Sequence, residues 1–348
     1  MGSGDRLSDY DYNLPPGLIA QRPPAQRGDS RLMHLPAGGA PRHLRFSDLP
    51  GLLRDGDLLV MNDTRVIPAR IRFQHRGREA EILLLEEVGS PDTWDCLFRP
   101  GKRAVPGVRL QLAFGLWGDV LRQFDGGRRR IRFSPPGRLA QVLPEMGEMP
   151  LPPYIHERLE DPERYQTVVA TKPGSAAAPT AGLHFTEEML AQLAKQGVRR
   201  TEVTLAVGLD TFQPVRVEVL DEHHMHSEAY RVPARARAEI IACRERGGRV
   251  VAVGTTVART LEAAAQGLAL DAASADAGRT DIFIRPGHVF REVDLLLTNF
   301  HLPRSSLLVM VSAFAGRDQI LAAYAEAVRE GYRFFSFGDA MLLEPGGE

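Results

Sequence analysis

The chain has 348 residues, 43% of them apolar and 25% charged, with 43 basic side chains against 44 acidic ones. That length exceeds one ordinary core and argues for two domains in a soluble globular enzyme. Two cysteines, Cys96 and Cys243, without CxxC or Cys/His spacing, argue against a disulfide framework or structural zinc and fit a reducing, cytoplasmic setting.

The first twelve residues lack the apolar stretch of a signal peptide, and no apolar run approaches ~20 residues, so no membrane span is expected. The net charge of −1 conceals an asymmetry. Between Val60 and Ala140, 14 Arg and 1 Lys stand against 9 Asp or Glu, a local excess of +6 that leaves −7 elsewhere. A basic segment on an acidic body suggests a polyanionic partner, nucleic acid first, although arginines on solvated strand faces would give the same count.

In chain order, residues 57–62 read as a buried strand. Residues 69–150 read as all-β: half-buried runs at 78–85, 93–98, 108–112, 120–124 and 130–133, the last two flanking Asp125-Gly126-Gly127, a hairpin signal. Short strands at this spacing suggest a small barrel or sandwich. From there the pattern alternates. Helices are expected at 186–196 (N-cap Thr186), 234–246, 255–266 and 318–330. Strands are expected at 200–207, 249–253, 294–297 and 332–337, with 307–312 a further apolar run and 269–278 a loop of small residues. The predicted fold is a mixed-sheet α/β body, residues 1–68 and 151–348, interrupted by an inserted, barrel-like all-β domain at 69–150.

Seven segments carry chemistry. The run Thr298-Asn299-Phe300-His301-Leu302-Pro303-Arg304-Ser305-Ser306 leaves an apolar strand with directed hydrogen-bonding groups and one titratable near neutrality, the profile of a site loop; a capped strand-end turn is the alternative. Gly254-Thr255-Thr256 opens a helix, where free N–H groups suit an anion or polar ligand edge. Thr180, Gly182 and His184 end a loop of small residues in which backbone can approach a flat ligand. Its His is either a neutral base or a cap. His223, His224 and His226 suggest acid–base or phosphate contact rather than metal, because no ligand frame accompanies them. Asn62, Thr64, Arg65 and Arg70 follow the first buried strand and offer phosphate or carboxylate forks, and Arg99, Lys102 and Arg103 form a second basic turn. Asp339, after Phe334, Phe335 and Phe337 of the core, could hold a ribose or orient a His, or simply close a turn.

Together NDTRVIPAR, MPLPPYI, YQTVVA, PTAGLHF, VTLAVGLDTFQPV, HMHSEAY, VAVGTT, TNFHLPRSSL, VSAFAG and YRFFSFGDAM resemble the S-adenosylmethionine:tRNA ribosyltransferase-isomerase family of queuosine biosynthesis, in the family's order over nearly the whole chain. The resemblance implies transfer and isomerisation of the ribosyl part of S-adenosylmethionine onto 7-aminomethyl-7-deazaguanine at a tRNA wobble position, giving epoxyqueuosine and releasing adenine and methionine. It implies no cofactor or metal beyond S-adenosylmethionine as co-substrate, and an α/β body with a β-barrel insert. Its expected catalytic residues are His184, His226, His301 and Asp339. Asn62, Thr64, Arg65, Arg70, Thr180, Gly182, Gly254, Thr255, Thr256, Asn299, Arg304 and Ser305 are expected to bind substrate, and Arg99, Lys102 and Arg103 to bind tRNA. A sulfonium acidifies C5′ and protonated adenine leaves more readily, so neutral-range imidazoles suit both steps. The chain departs from the family pattern at Ala206 (His), Asp210 (Gly), Val257 and Ala258 (Ser and Val) and Arg285 (Tyr). Two rival classes are a catalytically degenerate tRNA-binding relative and an S-adenosylmethionine-dependent RNA methyltransferase. The latter lacks its Gly-rich loop here. No leftover apolar seam is visible, which suggests a monomer.

Overall fold

The computed structural model describes residues 6–206, 215, 217–225, 227–267 and 276–346. Along the chain, β1 (Arg31–Leu35), β2 (Arg42–Arg45) and β3 (Leu58–Asn62) precede a short β4 (Thr64–Val66). Then come β5 (Arg70–His75), β6 (Arg78–Glu87), β7 (Thr93–Arg99), β8 (Arg109–Gln111), β9 (Trp117–Gln123), β10 (Arg128–Ser134), helix α1 (Arg138–Met146) and β11 (Gly147–Glu148). They are followed by β12 (Lys172–Ser175), α2 (Glu187–Lys195), β13 (Arg199–Leu205), β14 (Glu228–Val232), α3 (Ala234–Glu245), β15 (Val250–Val253), α4 (Thr255–Gly267), β16 (Asp276–Thr280), β17 (Leu295–Asn299), α5 (Ser306–Ala315), α6 (Arg317–Arg329) and β18 (Ala340–Leu343).

Nine strands form one mixed sheet in the order β16-β14-β13-β3-β15-β17-β18-β1-β2. Strand residues alternate between its faces, and the core divides accordingly. Leu58, Val60, Val250, Ala252 and Leu296 pack on one side with α3, α4, α5 and α6. Leu59, Met61, Val251, Val253 and Leu297 pack on the other with Phe46, Phe185, Met189 and Leu193. Val257 and Ala258, two of the departures from the family pattern, are fully buried in the first of these layers. Strands β13, β3, β15 and β17 run parallel, so Leu205, Asn62, Val253 and Asn299 end at one edge. Antiparallel β18 begins there, with Ala340 opposite Asn299. At the other edge the fully buried carboxylate of Asp57 accepts bonds from the backbone and guanidinium of Arg249, tying β3 to β15.

The segment between β4 and β12 makes a seven-stranded antiparallel sheet, β11-β5-β6-β7-β10-β9-β8, over a core of its own that includes Ile82, Phe98, Leu110, Ile131 and Phe133. Its terminal strands β8 and β11 do not pair with each other, so the sheet is open rather than a closed barrel. Helix α1 adds Leu139, Val142 and Leu143 to that core. It lies within the stretch expected to be all-β, because a nine-residue helix with an internal proline leaves little periodic signal.

Three other expectations change. Residues 307–312 are helical: Ser305 caps α5 by accepting from the Leu308 N–H at 3.2 Å, and eight of the ten helix residues are buried. A helix apolar all round cannot be told from a buried strand by period alone. Residues 332–337 form a turn, not a strand, in which Phe335 takes φ +74 and Gly338 N–H donates to Phe335 O; the closing strand is β18. Of the loop expected at 269–278, residues 276–278 belong to β16 and the rest lie outside the described residues. No single described helix is long and apolar enough to cross a membrane.

Candidate active site

The parallel edge of the nine-stranded sheet carries a small cleft, partly open to solvent and built from three strand-end loops and one turn. The β17–α5 loop contributes Thr298, Asn299, Phe300, His301 and Leu307, and the β15–α4 junction Gly254, Thr255 and Thr256. The loop before α2 adds Ala178 to Ala181, and the turn before β18 adds Phe335 and Ser336. Gly254 has φ +98 and sits where a Cβ would touch the Ala181 side chain at 3.5 Å, so the β15–α4 turn favours glycine. The first bonds of α4 run from the N–H groups of Val257 and Ala258 to Gly254 O. The N–H groups of Thr255 and Thr256 are therefore left without an intrahelical acceptor, at the positive end of the helix dipole.

Asn299 is the hub. Its Oδ1 accepts from Thr180 Oγ1 at 3.0 Å, joining two loops of the cleft. Its Nδ2 donates to His184 Nε2 at 3.0 Å and to the carbonyl of Asp339. His184 must then carry its proton on Nδ1 and donate it to Ser30 Oγ at 2.7 Å. Stacked on Phe46 and 4% exposed, this imidazole is pushed down to about 3 by burial, then by Arg333 and Arg27. It sits behind Asn299 rather than on the cleft wall, both nitrogens engaged.

His301 is the imidazole that the cleft presents. It is 5% exposed, and burial pushes it down to about 3, so it is neutral at physiological pH. Nε2 pairs with Thr298 Oγ1 at 2.9 Å, while Nδ1 has no hydrogen-bond partner among the described residues. When Thr298 accepts the Nε2 proton, Nδ1 holds a free lone pair. The backbone is locked from behind by Tyr324, whose OH accepts the His301 N–H at 3.0 Å, and by Tyr12, whose OH donates to its carbonyl.

Thr180, Gly254, Thr255, Thr256, Asn299 and His301 thus line the cleft. Gly182 stands behind it, where a Cβ would come within 2.9 Å of Thr167 Cγ2. Asp339 is a backbone clamp: Oδ1 accepts from Arg31 N and Oδ2 from Arg333 N, each at 2.8 Å. Asn62 bonds both Leu205 O and the Thr64 N–H, fastening β3 to β13. The Thr64 side chain is buried, its Oγ1 without a hydrogen-bond partner among the described residues. Arg65 pairs with Glu163, Arg70 reaches Leu151 O, and Arg304 pairs with Glu218; none of these lines the cleft. Ser305 serves as the α5 cap. His226 and Asp210 lie outside the described residues. Arg99, Lys102 and Arg103 lie on and just after β7 and have no carboxylate partner among the described residues, the first two exposed.

Sequence reasoning missed Ser30, which carried no pattern, and did not mark Phe335, buried as expected, as a ring on the cleft wall, since an aromatic run gives no sign of which ring meets a cavity. Phe335 holds a left-handed φ that is strained for an aromatic residue.

The family profile described as Queuosine biosynthesis protein matches residues 7–343. The chain belongs to this family. It is 54% identical over 342 residues to the S-adenosylmethionine:tRNA ribosyltransferase-isomerase of Symbiobacterium thermophilum, covering 97% of this chain and 99% of that one. With the Moorella thermoacetica protein of the same name identity is 53% over 344 residues, again 97% and 99% of the two chains. The crystal structure of S-adenosylmethionine tRNA ribosyltransferase from Thermotoga maritima matches this fold with TM-score 0.56 at 39% identity, over 96% of this chain and 99% of that one. Every cleft-lining residue falls inside the matched family region.

Proposed function

We infer that this chain is an S-adenosylmethionine:tRNA ribosyltransferase-isomerase whose chemistry takes place in the cleft around Asn299 and His301. The activity rests on one observation, identity above half to proteins of that name along 97% of the chain. The location rests on the convergence of loops at the parallel edge, where an α/β sheet receives its ligands. The acceptor is 7-aminomethyl-7-deazaguanine at the wobble position of a tRNA. S-adenosylmethionine lies in the cleft with the α4 N-terminus at a polar edge. His301 is the general base: neutral, with Nδ1 free, it takes a proton from C5′, which the adjacent sulfonium acidifies. Asn299 presents a ligand-facing amide held in place by Thr180 and by His184, a positioning residue. Residues 69–150 act as an inserted domain that holds the anticodon arm through Arg99, Lys102 and Arg103, cations that no carboxylate among the described residues neutralises.

The test is a product assay on the purified protein with S-adenosylmethionine and an anticodon stem-loop carrying 7-aminomethyl-7-deazaguanine. Free adenine and methionine with a heavier modified base are expected. S-adenosylhomocysteine instead of adenine would mean a methyltransferase, and tRNA binding without adenine a degenerate relative.

A further inference from the structure

Helix α4 carries two buried side chains whose hydrogen-bonding atoms the fold leaves unused. Thr256 lines the cleft at 7% exposure, and its Oγ1 has no hydrogen-bond partner among the described residues. Three residues on, Arg259 is 3% exposed. Its Nη1 pairs with the buried carboxylate of Glu228, while Nε and Nη2 meet no acceptor among the described residues. Buried donors are nearly always satisfied, and a guanidinium more stringently than most, so a group in this condition calls for an occupant.

The geometry says which side the occupant comes from. Residues three apart share a helix face, and long helical side chains lean back toward the N-terminus. Arg259 therefore extends over the first turn of α4, toward the end that opens on the cleft. Glu228 approaches the same edge. In the β13–β14 pair Leu205 lies opposite Tyr230 and the Ala206 N–H donates to Ala229 O, so Glu228 falls beyond the last paired residue of β13. The Nε and Nη2 edge of a guanidinium is a fork that matches the two oxygens of a carboxylate.

We propose that Arg259 and Thr256 form a carboxylate-binding subsite contiguous with the cleft, and that it seats the methionyl carboxylate of S-adenosylmethionine, with Glu228 as the positioning residue that fixes the guanidinium. This rests on the reading that the cleft holds S-adenosylmethionine. The adenosine and sulfonium then occupy the cleft beside Asn299 and His301, and the amino-acid tail runs along the first turn of α4.

The experiment compares affinities of the full-length protein for S-adenosylmethionine, its decarboxylated analogue and 5′-methylthioadenosine by titration calorimetry. The analogue keeps the sulfonium and the amine and lacks only the carboxylate. The wild type should favour S-adenosylmethionine over the decarboxylated analogue by about 10- to 100-fold, the range for hydrogen bonds to a charged group. In Arg259→Met combined with Glu228→Gln, which strands no buried charge, that ratio should fall to near one while 5′-methylthioadenosine binds as before. Thr256→Val, close in shape, should lower the ratio by about threefold or more, and it keeps the test decisive where the double variant fails to fold. A wild type indifferent to the carboxylate, or variants that discriminate as the wild type does, would overturn the subsite while leaving the cleft assignment standing. Failure of the wild type to bind either S-adenosylmethionine or 5′-methylthioadenosine would remove the cleft assignment and the subsite with it.

Discussion

Replacing Asp339 by Asn is expected to cost stability and leave the chemistry in place. The carboxylate is 3% exposed, and each oxygen accepts one backbone N–H at 2.8 Å, from Arg31 at the head of β1 and from Arg333 in the turn before β18. In the amide, one oxygen becomes a donor facing an N–H, so one bond to a charged acceptor is lost, about 1.5–3 kcal/mol. The surviving bond is no longer charge-assisted, which removes roughly 1 kcal/mol more. The sum is about 2.5–4 kcal/mol. An unfolding entropy near 2.1 cal/mol/K per residue gives roughly 0.7 kcal/mol/K for a chain of this length, so the melting temperature should drop by about 3–6 °C. The assay pairs calorimetric melting with adenine release by the folded enzyme, whose kcat should stay within about threefold of wild type, a change of under about 1 kcal/mol in the barrier. An unchanged melting temperature with kcat down more than about 100-fold would refute the reasoning and make Asp339 a residue that touches substrate.

Three further outcomes follow from the same geometry. His301→Ala should lower kcat by about 10²- to 10⁴-fold, the usual worth of a general base, with tRNA affinity within a few-fold of wild type; a kcat near that of wild type excludes His301 as the base. Acid should destabilise the fold through the buried imidazoles. His184 and His301 are held at about 3 in the native state against roughly 6.5 when unfolded, so the unfolded chain binds more protons between those values. Their stabilisation is complete above about pH 6.5 and is lost as pH falls toward 3, at up to ~1.4 kcal/mol per pH unit for each. The loss in urea midpoint between pH 7 and pH 5 should shrink in His301→Gln, and an identical loss in both proteins would count against a neutral buried His301. Charge reversal of Arg99, Lys102 and Arg103 together should weaken stem-loop binding and flatten its salt dependence, with S-adenosylmethionine affinity unmoved; unchanged stem-loop affinity would sink the role assigned to the insert.

The helices with end signals were the most legible elements. Thr186 caps α2 by accepting from Met189 N, as its hydroxyl and the acids after it suggest, and α3, α4 and α6 begin within a residue of expectation. What escaped was decided by tertiary packing. The run after Ser305 is a helix because it is buried on all sides, a condition no local pattern encodes. The site divides in the same way. A loop such as TNFHLP announces that polar groups leave the core, and Asn299 and His301 do reach the cleft. Which of two buried histidines faces the cleft goes with which one has a neighbour on each nitrogen. His184 has Ser30 and Asn299, contributed from 154 and 115 positions away, and that separation is invisible to motif reading.

The basic excess of the insert also separates once partners are known. Arg130 forks onto Asp95, Arg109 reaches Asp119, and Arg72 lies between Glu81 and Glu148, so these charges are spent within the sheet. Arg129 is buried and donates to the carbonyls of Gly101 and Ala104, which bracket Lys102 and Arg103. One arginine therefore fixes the backbone of the turn on which two others are presented, and a fixed cation loses less entropy on meeting a phosphate than one on a mobile loop. The +6 alone would have spread tRNA contacts over the whole segment. Arg76, Arg78, Arg122 and Arg132 are also exposed without a carboxylate partner among the described residues, so it is the fixed backbone of the 99–103 turn, and not pairing alone, that directs the charge reversal there.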